Sequence, residues 1–184
     1  MKPYAELTCD DLHTIQCDIY KFLSDQTELG SLDFKNWQFV ETKKLVTSSP
    51  HLAKFFLKHR LYVKNAAVTV LYDDLPLHLD APPMVAKINI PILNTQGWIN
   101  RWYNVSEKEI AQLPKTKNQF GSEQEDVSSL DADTLPVLAE IHDLSKPVVF
   151  NSRIPHSVIK ITATKLPRVV ASFTFVNDPQ HLLR

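Results

Sequence analysis

Within the stretch DLPLHLDAPP, His78 and Asp80 stand two positions apart, and two prolines close the segment. On an extended strand, positions i and i+2 share a face and lie about 6.6 Å apart along the chain, so both side chains can reach one point. Alone, such a pair also serves as a hydrogen-bonded structural couple. A third donor, His156, opens a β-branched segment just after the proline turn of VVFNSRIPHSV, and Arg168 opens the next, PRVVASFTF. Two imidazoles and one carboxylate form the facial ligand set that leaves the opposite side of an octahedral Fe(II) open to substrates. Ligands about 2.1 Å from a metal and at right angles lie about 3 Å apart. His78, Asp80 and His156 must therefore converge from distant parts of the chain.

The elements that would bring them together change character along the sequence. Residues 8–60 read as helical support. Thr8 with Asp11 resembles a capping box before Leu12, Ile15, Ile19, Phe22 and Leu23 at helical spacing. Ser49-Pro50 reads as an N-cap with proline at the first helical position, followed by Leu52, Phe55 and Phe56. From residue 61 to 177 the pattern is that of a sheet core, in short segments rich in β-branched and aromatic residues and punctuated by Pro, Asn, Asp and Ser. In KINIPIL, Ile88, Ile90 and Ile92 share one face while Lys87, Asn89 and Pro91 share the other, so one side packs and the other lines a polar interior. Pro91 marks an edge or a bulge. Residues 104–135 break the pattern. Ser106 and Glu109 can cap a short helix over 107–112, and the acidic stretch 121–133 reads either as a solvated loop or as a substrate lid over the mouth of a barrel.

The bulk properties exclude several classes. A chain of 184 residues is expected to form a single domain, 1–184, with a core large enough to need no disulfide. A net charge of -1 gives no electrostatic footprint for nucleic acid or an anionic membrane. With three glycines against twelve prolines there is neither a dinucleotide fingerprint nor a P-loop. Cys9 and Cys17, expected on one helix, read as reduced thiols and are too far apart there to bridge. With no leader-like apolar segment or bilayer-spanning run, the expected location is cytoplasmic.

HLD at 78–80, NIPILN at 89–94 followed by WINRWY, VVFNSRIPHSV at 148–158 and PRVVASFTF at 167–175 together resemble the Fe(II)/2-oxoglutarate-dependent dioxygenases of the prolyl-hydroxylase-like type. The resemblance covers roughly residues 61–177. It implies a mainly β chain with N-terminal helices, in which a double-stranded β-helix (a jelly roll, cupin-like) rests on a helical layer. It also implies Fe(II) held by His78, Asp80 and His156, with 2-oxoglutarate as cosubstrate and O₂ as oxidant. Arg168 would bind the far carboxylate through its planar, permanently charged fork, and Asn89 would line the cosubstrate site. Lys87 is the rival anchor. The activity implied is hydroxylation or another oxidation of an unactivated C–H bond in a peptide side chain or a small molecule, with release of succinate and CO₂. Asp80 matters here, because a small residue in its place would point to halogenation.

Two departures from the family pattern stand out. Twelve residues separate His156 from Arg168, which leaves a roomy hairpin through IKITATKLP. Position 170 is Val where a hydroxyl often partners the basic residue, and Ser172, on the same strand face, can substitute. Trp98, Trp102 and Tyr103 either contact substrate near the mouth or belong to the core, and Tyr72 either bonds the cosubstrate or packs. Arg153 either holds an anionic substrate or is solvated. His59 and His142 read as surface or structural histidines. Two other readings stay open: a non-catalytic ligand- or protein-binding barrel, and a cupin-like metalloenzyme with no use for 2-oxoglutarate.

Overall fold

Strand alternation and helical periodicity sort the residues into layers. The computed structural model describes residues 2–25, 36–80, 85–117, 121, 123–162 and 165–184. Pro82 and Pro83 of the opening motif, and residues 163–164 of the hairpin after His156, lie outside the described residues.

Helix α1 (Leu12–Asp25) buries Ile15, Ile19, Phe22 and Leu23, while α2 (Thr42–Ser48) buries Leu45 and α3 (Pro50–Lys58) buries Leu52, Phe55 and Phe56. Ser49 caps α3 by accepting from the Leu52 N–H, and Pro50 begins the helix where a missing N–H costs nothing. The Ser49 hydroxyl also donates to Asp18 at 2.7 Å, tying α3 to α1. Cys17 lies on α1, whereas Cys9 precedes it, and both thiols are free.

Among the described residues the strands follow the order β1 (Tyr4–Glu6), β2 (Asn36–Val40), β3 (Val63–Leu71), β4 (Leu75–His78), β5 (Ala86–Leu93), β6 (Trp98–Tyr103), β7 (Lys115–Lys117), β8 (Glu123–Glu125), β9 (Val137–His142), β10 (Val148–Asn151), β11 (His156–Lys160) and β12 (Arg168–Phe175). A six-stranded sheet runs β1-β10-β5-β12-β3-β2, and a four-stranded sheet runs β4-β11-β6-β9. Their paired neighbours are antiparallel. From β3 to β6 the chain crosses between the sheets at each step, and it does so again from β9 to β12. This crossing is the rolled topology of a double-stranded β-helix, the architecture that the resemblance implies.

The outer face of the larger sheet carries Val68, Val70, Ile88, Ile90, Ile92, Ala171 and Phe173, which form one core with the helices. Their alternates, among them Lys87, Asn89, Arg168 and Ser172, turn inward. Pro91 sits on a central strand, not an edge. A register shift between Val169 and Val170 of β12 falls opposite it, so the bulge alternative is the one realised. Strand β2, inside the stretch that reads as helical support, extends the larger sheet beyond β3.

The 104–135 excursion carries α4 (Glu107–Ala111), where Ser106 and Glu109 form the expected reciprocal capping box. The two-stranded ribbon β7-β8 and a 3-10 turn at Val127–Ser129 follow. Ile110 and Val127 pack on Leu79, between the two motif residues His78 and Asp80. The excursion is thus anchored beside the motif. No helix among the described residues is long and apolar enough to cross a membrane.

Candidate active site

His78 ends β4 and His156 begins β11, and the two are cross-strand partners with ring centroids 4.2 Å apart. Each ring is aimed by its own backbone. Nδ1 of His78 lies 2.8 Å from the Pro76 carbonyl, and Nδ1 of His156 lies 2.9 Å from the Ile154 carbonyl. A carbonyl only accepts, so each Nδ1 carries the proton and each Nε2 keeps its lone pair. Asp80 lies just beyond β4, with its N–H donating to the Ser152 carbonyl at 3.2 Å.

Ligand atoms of His78, Asp80 and His156 fall within 4.8 Å of one another. Asp80 Oδ2 is buried without a hydrogen-bond partner and lies 3.7 Å from His156 Nε2. Its other oxygen, Oδ1, accepts from Lys87 Nζ at 2.7 Å. Burial pushes the Asp80 carboxyl up, but Lys87 and the two imidazoles outweigh it and hold the group down at about 2. Burial, with His78 alongside, lowers His156 to about 3 and also lowers His78. Two neutral imidazoles and an ionised carboxylate with one unpaired oxygen make a donor set that fits a divalent cation.

A cavity of about 640 Å³ opens between the sheets and includes this cluster. At its other end stands Arg168, the first residue of β12 and only 2% exposed. Its Nη2 donates to Asn100 Oδ1 at 2.9 Å, and its guanidinium lies 5.8 Å from the centre of the Trp98 ring. Arg168 has no carboxylate partner among the described residues, and burial lowers its pKa to about 10. Arg168 Nε and Asn100 Nδ2 are both buried without a hydrogen-bond partner there. A cation and two unused donors converge on a site suited to an anion.

Lys87 is paired with Asp80, so among the described residues lining the cavity Arg168 is the cation without a carboxylate partner. Asn89 lines the cavity and accepts from the Ser172 hydroxyl at 2.6 Å. Trp102 lines the cavity, stacked on Tyr4 at 5.0 Å. Trp98 packs with Leu71 and Val158, and the Tyr103 hydroxyl bonds Ser157 at 2.9 Å, which makes both of them core residues. Tyr72 packs at the helix-side core, His142 pairs with Glu140 at 3.1 Å, and His59 rests against Phe55. Arg153 is partly buried and tied to two partners. It donates to the Asp80 carbonyl and to Glu125 Oε2, each at 3.0 Å, while Lys115 holds Glu125 Oε1 at 2.7 Å.

Asn100 was not expected from the sequence, although an amide alternating with Trp98 and Trp102 on one strand face was a usable signal. Trp37 and Phe39 of β2 also line the cavity, and the helical reading of residues 8–60 hid them.

No family model matches the sequence, and no curated protein does. Among solved structures the chain is similar to AviO1 from Streptomyces viridochromogenes Tue57, with 16% identity over 97% of this chain and 92% of that one and a TM-score of 0.50. It is also similar to SnoK, the non-heme alpha ketoglutarate dependent carbocyclase from nogalamycin biosynthesis, with 10% identity, 94% and 78% covered, and a TM-score of 0.57. A Pseudomonas putida prolyl-4-hydroxylase matches at 9% identity, 96% and 95% covered, and a TM-score of 0.50. The chain has the fold of non-heme, 2-oxoglutarate-dependent oxygenases, and it places a His-Asp-His cluster inside that fold.

Proposed function

We propose that the protein is an Fe(II)- and 2-oxoglutarate-dependent oxygenase. The single observation that carries this reading is the buried guanidinium of Arg168, unneutralised among the described residues, in the same cavity as His78, Asp80 and His156. A charge of that kind is costly unless an anion joins it. A keto acid bound to the metal at one end and to Arg168 at the other meets both needs.

In this reading His78 Nε2, His156 Nε2 and Asp80 Oδ2 would hold the iron, while Asp80 Oδ1 accepts from Lys87. Arg168, Asn100 and the Asn89–Ser172 pair orient the cosubstrate. When bound, iron and 2-oxoglutarate supply the oxidising power: a C–H bond and O₂ become C–OH as 2-oxoglutarate becomes succinate and CO₂. The residues of the chain fix the ligands and exclude water from the site between the sheets.

Anaerobic addition of Fe(II) and then 2-oxoglutarate tests the reading. A weak visible metal-to-ligand charge-transfer band is expected in the wild type and not in His78→Ala, while succinate should form from 2-oxoglutarate once air is admitted. A wild-type protein with neither band nor succinate would refute the assignment.

A further inference from the structure

The inner face of the larger sheet runs from the Arg168 end of β12 back toward the level of Lys87 on β5. On β12 the inward residues run Arg168, Val170, Ser172 and Thr174, and their cross-strand partners on β3 are Leu71, Thr69, Ala67 and Asn65. Beyond β3, strand β2 sets Phe39 opposite Ala67 and Trp37 opposite Thr69. All of these residues line the cavity. Arg168 and Thr174 are six residues apart on one strand, roughly 20 Å at the rise of an extended chain. An anion held at Arg168 therefore leaves the Thr174 end open.

The chemistry of that far end is one-sided. Among the described residues, the ionisable side chains lining the cavity are His78, Asp80, Lys87, His156 and Arg168. Each has work already: three with the metal, one on Asp80 and one for the keto acid. What remains is neutral. Trp37 and Phe39, edge to face with ring centroids 4.4 Å apart, make an aromatic wall. The short side chain of Ala67 leaves room between that wall and Ser172. Thr174 Oγ1 is buried without a hydrogen-bond partner, and Asn65, directly across from it, contributes an amide to the same lining. A buried hydroxyl with no partner is costly unless a ligand completes it.

Building on the oxygenase reading, we propose that the primary substrate is an uncharged, compact, largely apolar small molecule carrying a hydroxyl or carbonyl group. Its ring or hydrocarbon body lies against Trp37 and Phe39 over Ala67, and its polar group bonds Thr174 and Asn65. A cavity of 640 Å³ has the size of small-molecule sites, which run from about 300 to 1,000 Å³. An anionic substrate would find no free cation there among the described residues. A peptide would bring a row of backbone N–H and C=O groups, whereas the wall it would meet offers them chiefly aromatic rings.

Binding of four probes to the full chain, loaded anaerobically with Fe(II) and 2-oxoglutarate, tests this by calorimetry. They are 2-naphthol, naphthalene, 2-naphthoate and an unstructured proline-containing decapeptide. The expected result is saturable 1:1 binding of 2-naphthol, with naphthalene roughly five- to tenfold weaker for want of one hydrogen bond, and no measurable binding of the other two. In Asn65→Leu/Thr174→Val the advantage of 2-naphthol over naphthalene should shrink to within about twofold while naphthalene still binds. The inference is overturned if 2-naphthol fails to bind, if 2-naphthoate or the decapeptide binds as tightly, or if the hydroxyl preference survives in the double variant. The charge-transfer band, read in the same samples, separates the two readings. A band without naphthol binding sinks the substrate class alone, and naphthol binding without a band sinks the oxygenase reading alone.

Discussion

Replacing Arg168 with methionine should stabilise the ligand-free protein while making it blind to 2-oxoglutarate. Burial lowers the guanidinium well below its ordinary value, to about 10. The fold therefore holds this proton less tightly than the unfolded chain does, and stability rises as pH climbs from about 10 toward the ordinary arginine range. Below that window the whole cost is present. At about 1.36 kcal/mol per pH unit, keeping the charge inside costs roughly 3 kcal/mol at neutral pH. Arg168→Met removes this cost, but it orphans Asn100 Oδ1, a loss of about 1–2 kcal/mol, and forfeits the contact with Trp98, worth about 0.5–1 kcal/mol. The net is a gain of about 1 kcal/mol, or an apo Tm about 2–4 °C higher for a chain of this size.

The assay is thermal unfolding with Mn(II) in place of iron, with and without the keto acid. Saturating ligand at about a hundred times its Kd adds about 2.7 kcal/mol to the wild type, a rise of roughly 5–10 °C. The variant should rise by no more than about 1 °C. An apo Tm lowered by several degrees, together with an intact response to 2-oxoglutarate, would refute both the burial cost and the role assigned to Arg168.

Three other outcomes follow from the site. His78→Ala and His156→Ala should each abolish stoichiometric binding of Co(II) in anaerobic titrations, and unchanged affinity in either would exclude that imidazole as a ligand. Lys87→Met should destabilise the metal-free protein by about 3 kcal/mol, because it strands a buried carboxylate, and by much less with Mn(II) bound. Equal losses in urea melts with and without metal would show that Lys87 does not compensate Asp80. The hydrogen bond from Lys115 leads the effects that hold Glu125 at about 2, well below its ordinary 4.5. Its contribution to stability is therefore present above pH 4.5 and lost as pH falls toward 2. Glu125→Gln should flatten that acid limb in pH-dependent unfolding, and an unchanged limb would count against the Lys115–Glu125–Arg153 network.

What could be read from the sequence divides along physical lines. HLD, His156, Arg168 and the inward face of KINIPIL stood out because strand alternation and proline-marked turns are local signals, whereas the rolled sheets that join them were implied by the family resemblance. Ser49-Pro50 and Ser106/Glu109 were legible for the same reason, since a cap is made by its own neighbours. Strand β2 was not, because its five residues gain their place only by pairing with β3, a non-local contact. The attachment of Lys87 to Asp80 was also out of reach. Alternation places a lysine inside, but only the closed sheets show whether it meets a carboxylate or an anionic ligand. The partners of Arg153 were also out of reach, because Glu125 lies on a distant ribbon.

Strand β12 shows how this architecture separates two demands on one segment. Arg168, Val170, Ser172 and Thr174 face the cavity, while Val169, Ala171, Phe173 and Phe175 belong to the core beneath the helices. Exchanging one set can leave the other untouched, so such a barrel can change its ligand preference without renegotiating its foundations. Deleting one residue from the middle of β12 would do the opposite, driving phenylalanine toward the ligand and hydroxyls into oil.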